Sequence, residues 1–357
     1  MSTIFGNELR DYLSDMIGEL GLEGDIEIVT AYLSGSLAVG LGNAFSDIDI
    51  IVIHRGSRRL HEYRMLGDYP VDILYWQIDD LREGWARLSS AISADNYGNA
   101  NGWREDLSRY SRLHLGMPVL HNDAFACVRD EIDLERLAHL QQIHFHVRAA
   151  TYLRDAVGAL ASGDLDTAWD TSLATVRLVA QAALSAAGDL YLADKFVLRR
   201  ISASTPLEPI CGRLRGLIIP NCGERVPADL ADIVRNRLRL STQLSALSSM
   251  YGPRGGLDRS TVQEYFAVAD LNGMSGFAPA TDYGISIALD DEFLISGSRT
   301  MIASVRTGVV WALRIAASKP DDIHRMYRTL TGEDDDTAVN DALDELNEAE
   351  FTALGGI

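Results

Sequence analysis

The sequence predicts an α+β protein built in three regions, and three observations carry that prediction. Short segments rich in β-branched and aromatic residues alternate with helical patterns over the first 80 or so residues. Residues 129–250 then run as long segments of 3.6-residue period with almost no strand signal. A short acidic turn between two apolar runs marks the last hundred residues as different again. The expected organisation is an N-terminal α/β domain with a mixed sheet over 1–125, a helical bundle over 129–252 and a small C-terminal α+β module over 257–357.

In chain order, Phe5, Leu9, Tyr12, Leu13, Met16, Ile17 and Leu20 recur at spacings of three and four, which predicts an amphipathic helix over 5–20. Residues 26–33 read as a strand that ends at the small-residue turn Ser34-Gly35-Ser36. A short helix over Leu37–Leu41 follows, and Gly42-Asn43 breaks it. Asp47–Ile53 and Val71–Trp76 are strands, the second bounded by Pro70. Helices are expected over 79–92 and 104–115, with Asp79 and Asp80 capping the first, and residues 118–123 read as a connection.

The bundle helices fall near 131–161, 164–187, 190–202, 207–217 and 227–250, separated by glycine and proline breaks. Residues 252–256 read as a linker. Gly284–Leu289 and Glu292–Ile295 form a hairpin around Asp290-Asp291, and helices at 301–317, 321–330 and 336–350 complete a winged-helix-like module.

Composition narrows the function classes. No apolar run approaches the ~20 residues that a membrane crossing needs, and the N-terminus lacks a basic start followed by an apolar stretch, so the reading is a cytoplasmic protein. Three cysteines with no CxxC spacing suggest free thiols rather than a disulfide framework or a zinc site. A net charge of -19 argues against nucleic acid as the main partner, because phosphate backbones are held by net Lys and Arg contacts. The run Glu333–Asp336 reads as a solvated loop.

The chemistry concentrates in one stretch. Asp47 and Asp49 stand two residues apart on a strand and so project to the same side of the sheet. Two such carboxylates suit a hard divalent cation that keeps room for substrate phosphates, and magnesium is the natural choice. Asp72, on the next expected strand, is a third ligand if the two strands are neighbours. Gly35 permits close backbone approach to a phosphate chain, and Ser36 offers a hydroxyl and a backbone N–H at the start of a helix.

Leu33-Ser34-Gly35-Ser36, then Asp47-Ile48-Asp49, then Asp72 resemble the signature of the DNA polymerase β-like nucleotidyltransferase superfamily. That signature is a hydrophobic residue with Gly-Gly or Gly-Ser, followed after about ten residues by two aspartates around a hydrophobic residue. The chain looks most like bacterial aminoglycoside adenylyltransferases. The resemblance covers residues 25–76 in its motifs and is architectural only over 129–250. It implies two Mg2+ ions and ATP or another nucleoside triphosphate, with attack of an acceptor on the α-phosphorus and loss of pyrophosphate. It also implies that Asp47 and Asp49 bind both ions, Asp72 the catalytic one, and that Ser36 grips the β- and γ-phosphates.

Relatives of this kind add a carboxylate base from elsewhere. Glu105, or its neighbour Asp106, is the candidate, with an ordinary helix-start charge as the alternative. Lys195 stands where related helical domains offer a cation to the triphosphate, with Arg199 and Arg200 as weaker candidates. His139, His144 and His146 share one helix, but their spacing aligns them poorly for a metal. Trp85, Trp103 and Trp169 read first as core or cleft wall.

The leading function is transfer of a nucleoside monophosphate, AMP in the first instance, to a hydroxyl or amine of a small-molecule acceptor. A second reading is transfer to a peptide or protein, with residues 257–357 as recognition module, since that tail resembles the leader-peptide-binding domains of peptide-tailoring enzymes. A third is a non-catalytic interaction protein of the antitoxin type.

Overall fold

The computed structural model describes residues 27–56, 61–66, 69–219, 227–251, 256–271, 283–297, 300–316, 320–332 and 335–354. The helix expected over 5–20 and most of the linker expected over 252–256 lie outside the described residues. Two compact units emerge. One combines the described residues up to Ser90 with Glu105–Leu137, and the other combines Ala91–Arg104 with the chain from Ala138 onward.

The first unit is a five-stranded mixed sheet with helices. Its strands are β1 (Glu27–Ser34), β2 (Ile48–Arg55), β3 (His61–Leu66), β4 (Tyr69–Gln77) and β5 (Met117–Leu120), in the order β3-β4-β2-β1-β5. The β2–β4 pair is parallel and the other three are antiparallel. Ala31, Leu33, Ile48, Ile50, Val52, Val71, Ile73 and Tyr75 alternate onto one face and form its core. Tyr32, Ile51 and Ile53 on the other face are buried as well, which is why these strands read as nearly continuous apolar runs.

Tyr32 meets Phe125 at 5.1 Å and Trp76 at 6.3 Å between ring centres, so its face is closed by aromatic packing. After the short helical turn α1 (Gly35–Ala38) come α2 (Ile78–Leu88), α3 (Arg104–Leu115) and α4 (Asn122–Asp130); Phe125 lies on α4, and between α2 and α3 the Tyr110 hydroxyl donates to the Leu81 carbonyl at 2.9 Å.

Two of these strands were not expected. β3 carries His61, Glu62 and Arg64 and has a partner on one side only, so it lacks the apolar run of a central strand. β5 replaces the first part of the connection expected over 118–123. It is a four-residue edge strand, where Pro118 is tolerated because the outer side needs no ladder donor. His121 then takes a left-handed conformation, φ 52°, and turns the chain into α4.

In the second unit, four helices lie close to their expected places, α5 (Leu134–Ser162, from Ala138 on), α6 (Leu165–Ala186), α8 (Glu208–Ile218) and α9 (Pro227–Tyr251), whereas the helix expected over 190–202 begins only at α7 (Val197–Ala203), after a non-helical stretch and a 3-10 turn at Asp194–Phe196. A further helix, α10 (Arg259–Leu271), follows. The expected hairpin is present as β6 (Ile285–Ala288) and β7 (Glu292–Ser296), and a third strand, β8 (Thr300–Ser304), extends it to an antiparallel sheet.

The helix expected to begin at 301 therefore starts later, as α11 (Val305–Ala316), with Ser304 Oγ accepting from the Thr307 N–H at 3.1 Å as its cap. Helices α12 (Pro320–Thr331) and α13 (Asp336–Leu354) complete this end. Residues 91–104 join this unit through specific bonds: the Ile92 N–H donates to Asp290 Oδ2 at 2.8 Å, and His144 Nδ1 donates to the Ala100 carbonyl at 2.6 Å.

The three histidines of α5 are structural rather than gathered around a metal. His139 faces Asp290 at 3.6 Å, His144 serves Ala100, and His146 Nε2 lies 3.1 Å from Ser248 Oγ on α9. Burial pushes His146 down to about 3 and His144 down to about 4, from an ordinary value of 6.5.

Both are therefore neutral in the folded state at neutral pH. Because the folded values lie below the unfolded one, the stability they contribute is complete above about pH 6.5 and is lost as pH falls toward the folded values. Between pH 7 and 5.5 this costs about 1 kcal/mol per histidine. Urea unfolding at the two pH values should show a smaller pH dependence in His146→Gln than in the wild type. Equal slopes would contradict the assignment.

Candidate active site

The site grows out of strand register. Ser34 pairs with Asp49 across β1–β2, Asp49 with Asp72 across β2–β4, and Asp72 with Tyr63 across β4–β3. Directly opposed residues share a face, so four side chains stand in one row across four adjacent strands, ~4.8 Å apart.

At one end of the row the chain turns. Gly35 has φ 69°, and a Cβ placed there would lie 1.9 Å from Asp49 Oδ2. Only glycine lets this turn press against the carboxylate. Gly35→Ala is expected to cost about 1–2 kcal/mol in urea unfolding, from left-handed strain and displacement of Asp49. Wild-type stability in that variant would contradict the close contact.

Ser36 is buried in the short helical turn Gly35–Ala38, and its carbonyl accepts from the N–H groups of Leu41 and Gly42 at 2.8 and 2.9 Å. Its Oγ lies 3.5 Å from Ser46 Oγ. Ser46 Oγ accepts from the Asn43 N–H, and Asn43 Oδ1 from the Phe45 N–H, each at 2.9 Å. These bonds knit the loop that delivers Asp47, which is exposed one residue before β2.

Basic side chains face the carboxylates. Arg112 Nη1 on α3 is 3.6 Å from Asp49 Oδ1, and His61 Nε2 hydrogen-bonds Asp72 Oδ1. Arg109, also on α3, lies 5.7 Å over the Trp76 ring and 3.6 Å from Asp106. Tyr32 is fully buried beneath them, and burial raises its hydroxyl pKa well above 10.0, against the opposing pull of Arg112 and Arg109.

Next to the row, a cleft of about 710 Å³ is lined by His61, Trp76, Asp80, Arg87, Asp106 and Arg109, among others. This volume suits a small organic ligand. His61 belongs to both the cleft and the Asp72 pair.

Of the residues singled out from sequence, the structure brings together Gly35, Asp49 and Asp72, with Ser36 following in the turn and Asp47 two residues ahead of Asp49. Glu105 is exposed at the start of α3, while its neighbour Asp106 lines the cleft. Lys195 belongs to the second unit, exposed, with its ammonium 5.0 Å over the Phe196 ring. Arg200 is buried against Asp189 at 3.0 Å and is a structural ion pair.

His61, Arg109 and Arg112 were missed. The one available signal was the spacing of Arg109 and Arg112, three apart on a helix whose Leu107, Tyr110, Ser111 and Leu113 are buried.

Among the described residues, no three His, Cys, Asp or Glu side chains stand together as a ready metal site. The donor set nonetheless fits magnesium: hard carboxylate oxygens at adjacent register positions on one face.

With this geometry, comparison with known proteins is informative. Residues 12–90 match the nucleotidyltransferase domain family. The match spans Gly35, Ser36, Asp47, Asp49 and Asp72, and nucleotidyl transfer in general is the activity that such a domain supports. Among solved structures, a nucleotidyltransferase-like protein from Exiguobacterium sibiricum 255-15 is similar over 67% of this chain and 76% of its own, with 11% identity and a TM-score of 0.39. No curated protein matches the chain. No helix among the described residues is long and apolar enough to cross a membrane.

Proposed function

We propose that the chain transfers AMP from ATP to a hydroxyl or amine of a small-molecule acceptor. The observation that carries this reading is the in-register row of Ser34, Asp49 and Asp72, with Gly35 pressed against Asp49. A glycine turn beside two carboxylates on one face supports phosphate and metal being held together.

In the reaction, the acceptor oxygen or nitrogen forms a bond to the α-phosphorus. The bond from that phosphorus to the bridging oxygen breaks, pyrophosphate leaves, and the acceptor proton passes to a carboxylate and then to solvent. Gly35 and Ser36 hold the triphosphate through backbone N–H groups and the Ser36 hydroxyl. Asp47, Asp49 and Asp72 would hold two Mg2+ ions, which neutralise charge developing on the phosphates. Before that, His61 and Arg112 face the two inner carboxylates and hold them in place. Asp72, or the cleft carboxylate Asp106 in place of its exposed neighbour Glu105, takes the proton.

Incubating the full chain with ATP, magnesium and a panel of alcohols and amines tests the reading. A product heavier by one adenylyl group is expected by mass spectrometry, and loss of ATP binding and turnover together would overturn it.

A peptide acceptor is the second reading, favoured by one observation. β8 lies at the edge of its sheet with Ile302 57% exposed, an arrangement that can accept an added strand. Ile302→Lys, on the exposed edge, should leave adenylylation of a free small molecule intact under the first reading and weaken peptide modification under the second.

A further inference from the structure

The row of opposed residues has one more member than phosphate and metal chemistry uses. Fractional exposure rises along it, from 1% at Ser34 through 14% at the Asp49 and 25% at the Asp72 side chains to 68% at Tyr63. The row is closed at the phosphate turn and open at the β3 edge.

Alternation along β3 sorts its side chains onto two unlike faces. His61, Tyr63 and Met65 share the face of Asp72, whereas Glu62 and Arg64 turn to the other face and bond each other at 2.9 Å. Tyr63 and Met65, 68% and 60% exposed, stand beside His61 on the face of Asp72. Glu62 and Arg64 supply the charge that keeps an edge strand from pairing, and the aromatic and thioether left open on the opposite face stand where a ligand can reach them.

In-line displacement says which ligand. Incoming and leaving groups lie on opposite sides of the α-phosphorus. With pyrophosphate at Gly35-Ser36 on the β1 side, the acceptor approaches from the β4–β3 side, over Asp72 and against Tyr63.

Resting on the transfer reading above, we propose that Tyr63, flanked by Met65, positions the acceptor, and that the enzyme selects acceptors presenting a ring or other apolar face beside the attacking hydroxyl or amine. A phenol ring and a thioether offer such a face broad dispersion contact with little ordering cost, and the Tyr63 hydroxyl remains at the solvent edge.

Phenylalaninol and alaninol, amino alcohols that differ by one phenyl ring, test this on the full chain with ATP and magnesium. Wild type should use phenylalaninol with about ten-fold higher kcat/KM, expressed in KM. Tyr63→Ala should erase the preference and Tyr63→Phe should keep it, while the KM for ATP moves less than about two-fold in both. Equal use of the two acceptors by wild type would overturn the proposal, as would a preference that survives Tyr63→Ala, or an effect that falls on ATP instead.

Light scattering covers the competing occupant. If Tyr63→Ala changes the oligomeric state and leaves acceptor preference untouched, the face belongs to a second copy and the proposal fails. If neither compound is turned over, saturation-transfer NMR of phenylalaninol with the ATP-bound protein decides: transfer lost in Tyr63→Ala supports the platform, and its absence in wild type overturns it. Calorimetry of ATP separates this claim from its parent. Wild type that binds no ATP removes both readings, whereas ATP binding without a ring preference removes only this one.

Discussion

Asp49→Asn is expected to lower magnesium-dependent pyrophosphate release by about 10²–10³-fold while leaving the fold intact. Asp49 sits at the centre of the row, between Ser34 on β1 and Asp72 on β4, and contacts Gly35 on one side and Arg112 on the other. Asparagine keeps its shape and removes the charge that a cation needs. Its thermal midpoint should stay near that of the wild type, because the Arg112 contact is a partly exposed ion pair at 3.6 Å and worth little.

Asp72→Asn should act in the same direction, and the double variant should be little worse than either, since the two carboxylates serve one function. Initial rates of pyrophosphate release beside thermal unfolding check all three. An active Asp49→Asn would contradict the role given to the row.

Arg237→Ala is expected to destabilise the second unit by about 3–5 kcal/mol. Arg237 on α9 is fully buried, and its guanidinium stacks 3.9 Å from the ring centre of Trp169. Its Nε donates to the Leu217 carbonyl at 2.9 Å, and Nη1 to the Trp169 carbonyl at 3.0 Å and Ser172 Oγ at 3.3 Å. One side chain therefore ties α9 to α8 and α6 while satisfying carbonyls that have left water.

Truncation leaves a cavity and orphans those acceptors. Arg237→Lys should rescue little, because an ammonium cannot stack flat on the indole and reach donors on both sides. Urea unfolding followed in both variants tests this, and a loss under ~1 kcal/mol would contradict the account.

What was legible in the sequence divides along physical lines. β1, β2 and β4 are buried on both faces and announce themselves as apolar runs, and the bundle helices carry a sustained 3.6-residue period ended by Gly and Pro. β3, β5 and β8 are edge strands in which charge, a proline or short length replaces that signal.

The candidate site follows the same division. Gly35, Ser36, Asp47 and Asp49 lie close together in the chain, and their spacing is local information. Asp72 needed one assumption, that its strand lies beside β2, and the parallel register pairs it with Asp49 directly. His61 and Arg112 reach Asp72 and Asp49, and Arg109 reaches the Trp76 ring, only through tertiary packing, which no local period encodes. Tyr63 is read from exposure along a row of opposed residues, a quantity that exists only once the strands have paired.

The central claim, metal-dependent transfer at the α-phosphorus, is tested most directly by following ATP labelled separately at its α- and γ-phosphates in the presence of magnesium and an acceptor. The account predicts that the α label moves to the acceptor while the γ label leaves in pyrophosphate, and that both stop in Asp49→Asn. Release of the γ label as orthophosphate, or transfer that persists in Asp49→Asn, would contradict it.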